Sequence, residues 1–178
     1  MLLKDIVTED AKTVGLLKQA GAIVVGKTNL DQFSTGLVGT RSPFGVVPNS
    51  FSSEYVSGGS SSGSASVVAR GLVPFLLGID TAGSGHVTAA FNNIVGLKST
   101  KGRFSNYGLM QACKSIDCIS VFALTVEDAE VMAQVLEQFD VRDSYSRHHP
   151  KTAPAKLSSA LNFAIPKTLQ FFGDAQAE

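Results

Sequence analysis

The sequence predicts an α/β fold, and three observations predict it. A helix-forming stretch from Thr8 to Ala20 passes through Gly21 into the short β-branched run Ala22-Ile23-Val24-Val25. Helix, glycine and strand in that order make half of an α/β unit. Two further apolar runs, 72–79 and 94–97, read as buried strands, and the stretch 86–93 between them reads as a short helix.

Each element has a local reason. Thr8 is the expected N-cap of the first helix, Glu9 and Asp10 favour its first turn, and Gly21 suits the position just past its end. Residues 36–64 are rich in Gly, Ser and Pro and read as a long loop, a length that usually signals function or disorder. Ala65 to Arg70 is expected to be helical, with Gly71 as its stop. The clearest helix runs over 126–139. Thr125 caps it, Asp128 sits in a capping-box position, and Val126, Ala129, Ala133 and Leu136 mark one apolar face. Residues 142–160 carry mixed charge, two prolines and four serines and read as a surface connection. Leu161 to Ile165 reads as one further strand.

Composition narrows the function classes. The chain has 178 residues, enough for one domain with a core. Fifteen basic residues balance fifteen acidic ones, which leaves no electrostatic footprint for nucleic acid or an anionic membrane. The run Leu72–Ile79 is too short to cross a bilayer and contains Pro74. The start Met1-Leu2-Leu3-Lys4-Asp5 does not read as a signal peptide. Two cysteines, Cys113 and Cys118, have no nearby histidine, so neither a metal site nor a disulfide framework is expected, and a cytoplasmic setting fits. No cofactor is expected.

Two motif matches fail on physical grounds. Residues Gly21 to Thr28 fit the P-loop pattern, but Ala-Ile-Val-Val at its centre favours extended backbone, and a helix rather than a strand precedes it. Gly59-Ser60-Ser61-Ser62-Gly63 fits the nucleophile-elbow pattern of Ser-His-Asp hydrolases. The preceding segment, 51–57, is polar and broken by Glu54, and His148 and His149 lie in the polar connection.

A pair of small-residue loops remains. Gly58-Gly59-Ser60-Ser61-Ser62-Gly63-Ser64 precedes the expected strand at 72–79, and Asp80-Thr81-Ala82-Gly83-Ser84-Gly85 follows it. Loops of this kind bring backbone N–H groups and hydroxyls close to a ligand, the parts needed to attack a carbonyl carbon and stabilise the resulting oxyanion. Together with Ala89-Ala90-Phe91-Asn92-Asn93-Ile94-Val95-Gly96-Leu97-Lys98, they resemble the amidase signature family of serine amidohydrolases. Segments 21–41, 56–70 and 112–125 are most similar to the allophanate hydrolases of that family, including the amidase part of fungal urea amidolyase.

The resemblance implies an α/β/α layered fold around a mixed central sheet, only partly represented. It implies one partial amidase domain over 1–178: a core at 15–140, a connection at 142–160, and the start of a further segment at 161–178. It implies a Ser-Ser-Lys mechanism acting on a small amide with release of ammonia. Ser84 matches the nucleophile and Ser60 the bridging serine, whose preceding peptide bond is cis in the family. Thr81, Ala82 and Gly83 match the oxyanion-stabilising amides, and Arg41 follows a loop that faces the pocket. Asp80 is expected to fix loop backbone, and Lys98 to be structural. The family's base lysine lies farther upstream than this sequence extends before Ser60, and Lys27 matches a different family lysine. His86, Thr88, Ser99 and Gln111 depart from the Arg and Pro residues the family usually has there. The isolated chain is therefore expected to be inactive, and a homo-oligomer or pairing with a complete amidase chain is a further expectation.

Overall fold

A computed structural model describes residues 8–148 and 159–176. Its elements are α1 (Lys12–Gln19), a 3-10 turn (Gln32–Ser34), α2 (Ser62–Ala69), β1 (Phe75–Asp80), α3 (His86–Phe91), β2 (Val95–Lys98), β3 (Cys118–Ala123) and α4 (Val126–Leu136). The strands lie in the order β1-β3-β2, and both neighbours run antiparallel to β3. β1 and β2 therefore point the same way, with α3 crossing between them and β3 inserted afterwards.

No strand is expected from the sequence at 118–123, yet β3 is the centre of the molecule. Every residue from Cys118 to Ala123 is buried. A strand covered on both faces loses the alternation that marks a half-exposed strand, and here Ser120 also breaks the apolar run. Its side chains divide between two layers. Ile119 and Val121 pack with Leu16 and Leu17 of α1 and Ala133 and Leu136 of α4, while Phe122 packs with Ala65 and Val68 of α2 and Ala89 of α3. The layered α/β arrangement is thus borne out, with helices on both faces of the sheet.

α2 and α3 share one layer, which decides where the site forms. α2 is stitched to the outer edge of β1 by hydroxyls: Ser61 Oγ donates to the Ile79 carbonyl and accepts from the Ile79 N–H, both at 3.1 Å, and Ser64 Oγ donates to the Leu77 carbonyl at 3.0 Å. These serines satisfy backbone groups that an edge strand would otherwise leave open. The helix is short and rich in serine, so this anchoring and the burial of Ala65 and Val68 hold it rather than propensity.

Several boundaries differ from expectation. α1 begins at Lys12 with Ala11 before it and no side-chain cap, so Thr8 lies outside the helix; the Lys12 N–H donates instead to the Tyr107 carbonyl at 3.0 Å. Its end is as expected: Gly21 has φ +97°, and the Ala22 N–H reaches back to the Leu17 carbonyl. The strand expected at 22–25 does not form. Ile23, Val24 and Val25 are 85%, 62% and 79% exposed and join no ladder. Extended propensity alone makes no strand when no neighbour supplies hydrogen bonds. The strand expected at 161–165 is absent for the same reason. α4 carries the expected cap, with Thr125 Oγ1 accepting from the Asp128 N–H at 3.1 Å, but ends at Leu136. Three of its four expected core residues are buried; Val126 is exposed. Residues 149–158 of the expected connection lie outside the described residues.

Candidate active site

Ser60 stands two residues before α2 and Ser84 two residues before α3. Because both helices lie on one face and start at the same end of the sheet, the two loops converge. Ser60 Oγ donates to Ser84 Oγ at 3.0 Å, and both residues are almost fully buried, at 1% and 4% exposure. The Gly59–Ser60 peptide bond is cis.

Local contacts fix each serine. The Asp31 N–H donates to the Ser60 carbonyl at 3.0 Å. The Ser84 carbonyl accepts from Thr88 Oγ1 in the first turn of α3. Asp80, the last residue of β1, is buried, and its Oδ2 accepts from the Gly85 N–H at 2.6 Å and the His86 N–H at 3.2 Å. Asp80 therefore organises backbone, as expected. His86 Nδ1 lies 2.8 Å from the same oxygen, while its ring is 65% exposed. Among the described residues, neither serine hydroxyl is hydrogen-bonded to a histidine or lysine nitrogen.

Thr81, Ala82 and Gly83 form the turn between β1 and Ser84. Gly83 has φ +130°, which a side chain would resist, and its carbonyl accepts the His86 and Val87 N–H groups. The N–H groups of Thr81, Ala82 and Gly83 find no acceptor among the described residues, and Ala82 is exposed. Three unpaired donors beside a buried pair of hydroxyls make a place where negative oxygen would be stabilised.

The family model described as "Amidase" matches residues 1–176. The chain belongs to the amidase family. It is 58% identical to the urea amidolyase of Saccharomyces cerevisiae over 170 residues, covering 95% of this chain and 9% of that protein. It is similar to the solved allophanate hydrolase of Kluyveromyces lactis, at 57% identity and a TM-score of 0.91, over 94% of this chain and 28% of that one. It is also similar to a solved amidase family protein of Bacillus anthracis, at 31% identity and a TM-score of 0.74, over 80% of this chain and 30% of that one. The chain thus spans less than a third of each of these relatives. The resemblance read from the two loops, and its leaning toward the allophanate hydrolases, are borne out.

Of the residues singled out in the sequence of this amidase-family chain, Ser60, Ser84 and the Thr81–Gly83 turn come together. Arg41 is exposed, and its Nη1 donates to the Thr35 carbonyl at 3.3 Å. Lys27 is exposed and no helix starts after it, unlike the helix that follows a phosphate loop. Lys98 Nζ donates to the Ser99 carbonyl. Two buried acids behind the site were not foreseen, Asp31 and Asp117. Asp117 had a faint signal: a single carboxylate at the entrance of an apolar run must find buried donors.

Proposed function

We propose that this chain carries the serine part of an amide-hydrolysing centre. The observation that carries the reading is the 3.0 Å hydrogen bond between the buried hydroxyls of Ser60 and Ser84, beside three amides with no acceptor among the described residues. Once a base accepts the Ser60 hydroxyl proton, the bond between the two hydroxyls reverses so that Ser84 donates to Ser60. Ser84 Oγ then attacks the amide carbonyl carbon, its proton passing to Ser60 Oγ as the Ser60 proton passes to the base, the role the family resemblance gives to a lysine. The Thr81, Ala82 and Gly83 amides receive the developing oxyanion; one such donor is worth about 3–4 kcal/mol in the transition state. Ammonia leaves with the returned proton, and water then opens the acyl-Ser84 ester. The substrate is a small amide bearing a carboxylate, as allophanate does, with Arg41 as the candidate carboxylate partner.

A hydroxyl without a base is a weak nucleophile. Since neither serine contacts a nitrogen base among the described residues, the chain alone is expected to release little ammonia. The test measures ammonia release from allophanate by the wild-type chain and by Ser84→Ala, alone and mixed with a complete amidase-family chain whose own nucleophile is disabled. Turnover that persists unchanged in Ser84→Ala overturns the assignment.

A second reading is favoured by the exposed β-branched run at Ile23–Val25. On that reading the chain pairs with a second copy or with a complete amidase chain through backbone left without a ladder. Size-exclusion chromatography of the chain, alone and mixed, decides it: a monomer in both cases ends this reading. In either case 1–178 acts as part of an amidase domain centred on 15–140. Cys113 and Cys118 are free thiols, which fits a cytoplasmic setting. No helix among the described residues is long and apolar enough to cross a membrane.

A further inference from the structure

The geometry points to Asp117 as the positioning residue that aims the Thr81–Gly83 amides, acting through the Thr81 hydroxyl. The inference rests on the proposed reading for its purpose but on separate contacts for its substance. Asp117 directly precedes β3, whose first residue, Cys118, is in register with Asp80. Asp117 is thereby level with Thr81, the first residue beyond β1. Its carboxylate is fully buried. Oδ1 accepts from Thr81 Oγ1 at 2.5 Å, and the carboxylate also receives the N–H groups of Ala112 at 2.9 Å and Cys113 at 3.0 Å. The Asp117 carbonyl takes Lys101 Nζ and Asn106 Nδ2, each at 2.7 Å.

Asp117 is therefore held from several directions by groups outside the turn, and it presents one charged oxygen to the turn. A hydrogen bond to an ionised acceptor is stronger than a neutral one and more demanding of direction. Asp80 fixes the far end of the same turn through Gly85 and His86. Between these two anchors lie three amides that bond to nothing among the described residues. Apart from the Gly83 carbonyl, which the His86 and Val87 N–H groups hold, no backbone bond within the turn keeps its donors pointing one way. The two carboxylates do so, one at each end.

Removing Asp117 itself would strand buried amides and endanger the fold, so the test uses its partner. Thr81→Val keeps the shape and loses the hydroxyl, and Thr81→Ser keeps the hydroxyl. Nitrogen-15 relaxation of the whole chain gives backbone order parameters at Ala82 and Gly83. We expect rigid values near about 0.85 in the wild type and in Thr81→Ser, and values below about 0.6 in Thr81→Val, with β3 unchanged. Unchanged order in Thr81→Val overturns the inference, as does an equal loss in Thr81→Ser or a loss spread through β3. Ser84→Ala keeps wild-type order at the turn, so a silent Ser84 does not disturb the result. A second measurement titrates methylboronic acid, followed by boron-11 NMR, and Thr81→Val is expected to bind it at least tenfold more weakly. A wild type that ignores the boronate counts against the Ser84 reading and leaves the relaxation data to decide this one.

Discussion

The backbone N–H of Asp31 donates to the carbonyl of Ser60, and the Asp31 carboxylate accepts the N–H groups of Gly39 at 3.0 Å and Arg41 at 2.7 Å. One buried acid thereby joins the Ser60 main chain to the loop that bears Arg41. The junction leaves no space for a side chain at Gly59. A Cβ there would run into Asp31 Oδ2 and stand 2.8 Å from the Gly39 nitrogen.

Gly59→Ala is accordingly expected to destabilise the chain by about 3 kcal/mol or more, at the upper end for overpacking, because backbone has to move. Gly15→Ala is the matched control. Its Cβ would meet nothing within 4 Å, and it lies inside α1, so it is expected to stabilise by about 0.5–1 kcal/mol. Urea denaturation of both variants measures the contrast.

Asp80 and His86 should differ in weight although they touch. His86→Ala removes an exposed partner and is expected to change stability by less than about 1 kcal/mol. Asp80→Ala leaves the Gly85 and His86 N–H groups without their acceptor and is expected to cost about 3 kcal/mol. Thermal melts at neutral pH compare them.

Acid should loosen the end of the molecule near Asp140. Burial pushes the Asp140 carboxyl up, but the Arg142 guanidinium and N–H, with the Ser105 hydroxyl, together outweigh it and hold the group below the ordinary carboxylate range. A carboxylate whose pKa is lower folded than unfolded contributes stability that is fully present above the unfolded value of about 3.9 and is lost as pH falls through the folded one. Asp140→Asn is expected to lower the urea midpoint at pH 7 and to flatten its decline between about pH 5 and pH 3. An unchanged decline would show that other carboxylates govern it.

The exposed run at 23–25 should govern self-association rather than folding. Val24→Lys is expected to leave the melting temperature within about 2 °C of wild type and to reduce light scattering at high concentration, since charge on an unpaired extended segment opposes edge pairing. A scattering profile identical to wild type contradicts this.

The legible parts of the fold were those with local punctuation. Thr125 announced α4, Gly71 closed α2, and the run at 94–97 appeared as β2 at Val95–Lys98. What failed depended on neighbours distant in sequence. Ile23–Val25 has the composition of a strand but no ladder, whereas Cys118–Ala123, interrupted by Ser120, became the central one. The serine loops were legible as a pair from their composition on either side of one apolar run, but the roles of Ser60 and Ser84 were implied only by family likeness. No spacing rule brings Ser60 to Ser84; that follows from two helices sharing one face of a sheet. Asp31 was invisible because its partners are backbone amides, which the sequence does not distinguish, and Asp117 showed only as a lone carboxylate before an apolar run, with nothing to name Thr81 as its partner.

The two hydroxyls belong to segments 24 positions apart, and only the completed sheet with its helix layer brings them into contact. Before that closure the polypeptide holds two ordinary alcohols, each solvated and inert. The contact is thus a property of tertiary structure alone, and any change that parts α2 from α3 abolishes it without touching either serine.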